Sequence, residues 1–467
     1  MERHIRDPHQ KALAINLDKS VYGTIAEIGA GQETARWFFR VGGAAGTIAK
    51  SISAYDMKFS DAIYGPSPRY VSRDRLGAML HHEFALVLDR LDEHRGTDST
   101  FFAFANTVAA RSYSRKMDGH GWLGIRFQHE PRAPASQIDL HVNLHGTSNV
   151  RDQETLGVLG VNLIYGAMHL HTDCETLLAS LMDQLYPELV EIDMVDFSGP
   201  AFAAVDNRVM ALRLVQKGFS SAAMFTADGH IAEVADALWK KAVLVERSRF
   251  RPPTKLTMEL LDRAQATFLQ ETNLAPEELV VLSEMTLNNL TDGGDIDVGD
   301  FLNRADILCA LGKSVLVSNY GEHYRLAQYL FRYTERPIAV VMGLPTLREI
   351  FDEKYYENLP GGILESFGRL FKHDLRLYVC PECDSASGTT RDLQDLELAS
   401  DLRHLYAYLL ERGCIKPLDG VKAAHLSIYS HEVLARIRDG GSQWEGMVPP
   451  EVARIIKERR LFGLPGG

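Results

Sequence analysis

Glu284 lies inside an otherwise apolar run, Leu279-Val-Val-Leu-Ser-Glu-Met-Thr286. A carboxylate flanked by Val281, Leu282 and Met285 must either find a partner or open onto a crevice, because ionised oxygens are costly to bury alone. The next apolar run, Ser314 to Tyr320, ends in Asn319-Tyr-Gly-Glu-His323, which supplies amide donors and an imidazole that titrates near neutrality. Glu284 and His323 are therefore the predicted acid/base pair, with Asn319 beside them as a ligand-binding donor. Two further acidic stretches close strands: Asp193-Met-Val-Asp196, and Thr226-Ala-Asp-Gly229. Carboxylates at strand ends next to a helix N-terminus suit Mg²⁺, so Asp193, Asp196 and Asp228 are the predicted metal ligands. The plainer alternatives are an N-cap at Asp206 and a turn at Asp228-Gly229.

Glycines form the second chemical signal. Thr24-Ile-Ala-Glu-Ile-Gly-Ala-Gly-Gln-Glu33 reads as strand, turn and helix, the helix running from Thr34 to Val41. Such a turn lets backbone N–H groups approach an anion, and the helix start adds partial positive charge. Gly42-Gly-Ala-Ala-Gly-Thr-Ile-Ala-Lys-Ser51 has the ingredients of a phosphate loop without the contiguous Gly-Lys-Ser/Thr that the motif requires. Gly29, Gly31, Gln32, Gly42, Gly43 and Gly46 are the predicted cradle, with Lys50 and Arg36 as its charged members and Asp56 placed for a ribose. The competing reading is a helix C-cap at Gly42 and a new helix beginning at Thr47. His169, His171 and Asp173 have spacing that suits a metal on extended chain, or else Asp173 caps a helix. Cys380 and Cys383 form a lone CxxC without a second pair.

The elements that must position these groups follow from periodicity. Four apolar runs, 279–286, 314–320, 338–343 and 375–380, are separated by helix-length spacers, as expected of parallel strands covered on both faces. Ligands of such sheets sit outside the carboxyl ends of the strands. Residues 12–17, 101–106, 123–128, 138–144, 190–195 and 222–226 also read as strands; those at 123–128 and 138–144 alternate and should be half exposed. Helices are predicted over 74–94, 155–168, 174–185, 203–217, 256–270, 394–412 and 450–460. Pro252-Pro253 is the best break between domains. The chain is read as a mixed α/β N-terminal domain (1–150), an α/β segment (151–252), a Rossmann-like parallel-sheet domain (253–392) and a helical, charged C-terminal region (393–467). The fold class is α/β with Rossmann-like modules.

With 467 residues, 45% hydrophobic and 24% charged, the composition is that of a globular protein. A net charge of −12 argues against nucleic acid or an anionic membrane as partner. No apolar run reaches membrane-spanning length, and the start lacks the apolar core of a signal peptide, so a cytoplasmic location is expected. Five thinly spread cysteines do not form a disulfide framework.

Several strings resemble a little-characterised bacterial family labelled nicotinamide- or nicotinate-nucleotide adenylyltransferase. They are Gly23 to Glu33, Gly42 to Lys50, Phe197-Ser-Gly-Pro200, Asp206-Asn-Arg208, Met224 to Gly229 and Tyr329-Leu-Phe-Arg-Tyr333, within residues 8–380. The resemblance implies a nucleotide ligand of the ATP or NAD type. It transfers no catalytic residue, since the His-x-Gly-His nucleotide motif does not occur and Gly119-His-Gly-Trp122 is the nearest string. The expected function is a nucleotide- or phosphorylated-ligand-binding enzyme, with Mg²⁺-dependent nucleotidyl transfer in which the cradle and Lys50 stabilise pyrophosphate. The alternatives are an S-adenosylmethionine-dependent methyltransferase, suggested by Glu27-Ile-Gly-Ala-Gly31, and a non-catalytic regulatory protein that self-associates through residues 394–467.

Overall fold

A computed structural model describes residues 5–111, 118–291, 294–383 and 388–465. The chain forms two compact units, Met1–Ala223 and Met224–Gly467. Pro252-Pro253 lies inside the second. Among the described residues no helix is long and apolar enough to cross a membrane.

The first unit is built on a six-stranded sheet of order β2-β1-β3-β4-β5-β6. Its strands are β1 (Val21–Gly29), β2 (Ile48–Ile52), β3 (Thr100–Ala109), β4 (Gly119–Phe127), β5 (Ser136–Leu144) and β6 (Val190–Ser198). β1 runs parallel to β2 and β3, while β3 to β6 are antiparallel. One face carries the main core, where the helix Asn149–His169 and the helices Pro8–Leu17 and Thr34–Arg40 cover Phe102, Phe104, Leu123, Ile125 and Leu140. The helix Arg73–Arg95 covers part of the other face through Phe84 and Val87 on Phe101 and Ala103.

Three expectations are corrected here. Residues 12–17 belong to the helix Pro8–Leu17, because Asp7 and Gln10 form a reciprocal cap and Pro8 presets the first turn. Thr47 starts no helix: one 3₁₀ turn, Ala44–Gly46, leads into β2, and Gly23 N–H donates to the Thr47 carbonyl to begin the parallel pairing. The alternating strands β4 and β5 are buried on both faces. Their polar side chains are paired with one another there rather than with water, as in Arg126 to Gln137 and Gln137 to Asp139.

The second unit holds an eight-stranded sheet. A hairpin of β7 (Ala222–Phe225) and β8 (Ile231–Ala232) forms one edge. β9 (Ala242–Arg247), β10 (Leu279–Thr286), β11 (Ser314–Ser318), β12 (Ile338–Gly343), β13 (Leu375–Cys380) and the short strand Ile415–Pro417 are all parallel. Their spatial order is β11-β10-β9-β12-β13 and then Ile415–Pro417. The chain thus moves outward from β9 through β10 to β11, returns to the far side of β9 with β12, and continues outward. That is the doubly wound Rossmann order, and its crevice lies at the carboxyl ends of β9 and β12, where the direction reverses. The crossover helices include Lys255–Thr272, Val298–Ala310, His323–Leu330 and Gly362–Leu370. At the C-terminus the helices Ser430–Arg438 and Pro450–Arg459 close over Trp444 in a core that they share with Ile307 of the helix Val298–Ala310.

Candidate functional site

Arg247 is the last residue of β9 and stands in register with Glu284 on β10. Neighbouring side chains of a parallel pair project to the same face, so the guanidinium and carboxylate meet. Nε donates to Oε2 at 2.9 Å and Nη2 to Oε1 at 3.0 Å, a two-pronged charged pair. The Ser318 hydroxyl, at the end of β11, donates to Glu284 Oε1 at 2.6 Å, and Arg247 Nη1 donates to the Gly321 carbonyl at 2.6 Å. Glu284 is wholly buried and Arg247 retains 11% exposure. The carboxylate that the sequence marks as needing a partner has one, and its task is to position Arg247.

His323 opens the helix His323–Leu330 beside this pair. Its Nε2 is buried without a hydrogen-bond partner. Burial first, and the Arg247 charge second, hold its pKa well below the usual 6.5, so the imidazole is neutral at pH 7. Glu284 and His323 therefore lie at the same end of the sheet with Arg247, while Asn319 is exposed on the turn after β11. The loop after β9 is pinned by Arg251 on Asp300 at 3.0 Å and by Arg304, which donates to the Arg249 carbonyl at 3.1 Å. On the opposite side of β9, Glu246 is 5% exposed, and its Oε2 has no hydrogen-bond partner. Burial raises its pKa well above 4.5.

The glycine turns of the first unit do not form one cradle. Gly29 is the last residue of β1 and Gly31 follows it, whereas Gly42, Gly43 and Gly46 precede β2, which starts level with Gly23. Six strand residues at ~3.3 Å each put the two turns roughly 20 Å apart. The helix start that would face an anion is already occupied. The Glu27 carboxylate accepts from Thr34 N–H and Ala35 N–H at 3.1 Å each, and from Asn106 Nδ2 at 3.0 Å. Burial nevertheless raises its pKa, the hydrogen bonds opposing. Gly31 is packed against Asn106, Gln32 donates to the Gly29 carbonyl, and Asp56 caps the helix Met57–Tyr64. Lys50 pairs with buried Glu83 at 2.6 Å, and Arg36 pairs with Glu33.

Each predicted metal carboxylate has its own surroundings. Asp193 accepts from His141 Nδ1 at 2.6 Å and Asn143 Nδ2 at 2.8 Å. Asp196 takes Arg73 and Asn207. Asp228 is exposed in a turn, where the Thr226 hydroxyl holds its carboxyl below the usual range. Asp173 caps the helix Cys174–Leu181, and His171 Nδ1 faces the Ala167 carbonyl. Burial pushes the Cys380 thiol up to about 12, which leaves no thiolate at neutral pH. Sequence reasoning missed Arg247 and Glu246. The available signal was the run Ala242-Val-Leu-Val-Glu-Arg247, as apolar as the four strands it joins.

No family model matches the chain, and no curated protein matches it. Among solved structures it is similar to nicotinic acid mononucleotide adenylyltransferase of Plasmodium falciparum complexed with APC, at 9% identity and a TM-score of 0.31, over 48% of this chain and 98% of that one. It is also similar to the competence/damage inducible protein CihA from Agrobacterium tumefaciens, at 16% identity and a TM-score of 0.24, over 34% of this chain and 93% of that one. Likeness at this level carries no argument about activity; the α/β Rossmann-like architecture stands on the strand order itself.

Proposed function

We propose that the second unit binds a nucleotide or another phosphorylated small molecule outside the carboxyl ends of β9 and β12, with Arg247 as the fixed cation for its phosphate. One observation carries this reading: at the end of the first strand of a doubly wound sheet, a guanidinium is locked by Glu284 and Gly321 while staying partly open to solvent. Preorganised positive charge of this kind binds phosphate without reorganising. The reaction class that suits the site is nucleotidyl transfer, which depends on positioning and charge more than on a strong base. Both oxygens of Glu284 are engaged, and neutral His323 offers a hydrogen bond rather than charge. Mg²⁺ would arrive with the phosphates of the nucleotide.

Thermal-shift measurements with ATP/Mg²⁺, NAD, nicotinamide mononucleotide and S-adenosylmethionine test this. A ligand at a hundred times its Kd adds about 2.7 kcal/mol. ATP, NAD or the mononucleotide should stabilise the wild type, and the Arg247→Met/Glu284→Leu double variant should lose that shift. No shift from any phosphorylated ligand, or a shift that survives the double substitution, refutes the assignment.

A further inference from the structure

We infer that the first unit carries a binding site for a divalent transition-metal ion of the zinc type, formed by His120 Nδ1 and His141 Nε2 and supported from behind by Asp193. This site is independent of the nucleotide reading and shares no residue with it. His120 on β4 and His141 on β5 are diagonal neighbours, two residues out of register and therefore on the same face of the sheet: His141 pairs with Trp122 and His120 with Asn143. Their nitrogens are 3.3 Å apart. Two imidazole nitrogens at that separation, each ~2.0–2.1 Å from one ion, subtend roughly 105–110° at it, close to the tetrahedral angle. The rings, 5.6 Å apart between centroids, now point nearly at each other, and a small tilt directs both lone pairs to one point.

The support behind His141 is what distinguishes this pair from two histidines that happen to meet. Asp193 Oδ1 accepts from His141 Nδ1, which fixes the tautomer and leaves Nε2 as the lone pair. Asn143 holds the other carboxylate oxygen. The β5–β6 register shifts between His141 and Val142: His141 faces Met194 and Val142 faces Ile192, so Asp193 is the extra residue of a bulge. Bulges re-aim side chains and are frequent beside functional sites. Trp122 packs against the His141 ring, and His141 is buried, whereas His120 is only partly buried. Imidazole ligation selects zinc-like ions over Mg²⁺, and Asp193 is then an outer carboxylate rather than a ligand. On loading, the His120 proton moves from Nδ1 to Nε2, so the pair need not release a proton.

The experiment uses the full chain, freed of metal with a chelator, reloaded with Zn²⁺, Co²⁺ or Mg²⁺ and passed through gel filtration before metal analysis. The expected result is about one equivalent of Zn²⁺ or Co²⁺ retained, the latter with tetrahedral visible bands, and no Mg²⁺. His120→Gln should lose that equivalent and those bands with an unchanged circular dichroism spectrum, and Asp193→Asn should weaken binding by about 10–100-fold. Because His141 is buried and its replacement risks the fold, His120→Gln decides the matter. Absence of retained Zn²⁺ and Co²⁺, or equal retention by folded His120→Gln, overturns the site and leaves a hydrogen-bonded pair.

Discussion

Removing Glu284 while keeping Arg247 should destabilise the second unit far more than removing both. Glu284→Leu strips two charged hydrogen bonds from a guanidinium whose side chain is 11% exposed and frees the Ser318 hydroxyl. Breaking a buried pair from one side costs about 3–5 kcal/mol, and the small residual exposure of Arg247 argues for the lower end. Arg247→Met/Glu284→Leu replaces the pair by apolar groups of similar volume and should fall within about 1–2 kcal/mol of wild type, the Ser318 hydroxyl accounting for most of the loss. Adding Arg247→Met to Glu284→Leu should therefore restore about 1–2 kcal/mol, the sign expected of two coupled positions. Native-state hydrogen exchange, read on β10 peptides, reports this unit separately from the first. A loss of 3 kcal/mol accelerates its slowest amides by roughly 10²-fold at 1.36 kcal/mol per decade. If the single variant changes exchange by less than tenfold, or the double variant exchanges as fast as the single, the pair does not organise the end of the sheet.

Glycine substitutions should separate the turns of the first unit. Gly29→Ala meets the Val108 carbonyl at 2.1 Å and has φ +78°, so its loss should exceed that of Gly42→Ala, which has φ +81° and open space, a penalty of about 1–2 kcal/mol. Gly46→Ala, with neither strain nor a neighbour, should stay within about 0.5 kcal/mol in urea denaturation. Glu246 should make the second unit lose stability as pH rises. Its pKa in the folded chain is raised by burial, so its contribution is fully present below the unfolded value near 4.5 and is lost as pH climbs through the raised one. Glu246→Gln should flatten that slope, and an unchanged slope in thermal melts from pH 5 to 8 would show that Glu246 is not the group responsible.

Much of the architecture was legible in the chain. The runs at 279–286, 314–320, 338–343 and 375–380 are strands because continuous Val, Leu and Ile with helix-length spacers leave few other ways to bury both faces. Glu284 stood out for the same reason: a carboxylate in such a run must be satisfied. Its partner did not, because Arg247 follows a run that precedes the Pro252-Pro253 pair and was not counted among the strands. The helix Pro8–Leu17 was misread since its apolar residues resemble a strand until Asp7 and Gln10 are seen to cap it.

Residue types and periodicity determined that a parallel α/β sheet would form and that its strand tips would carry polar groups. Only the tertiary structure decided which tips meet. Strand order brings Arg247 to Glu284, a one-residue bulge turns Asp193 toward His141, and the parallel pairing of β2 with β1 sends Gly42 to Gly46 to the far end of β1 from Gly29. These are relations between residues 13 to 52 positions apart. No local propensity encodes them, because register and strand order are set by how the whole sheet buries its faces.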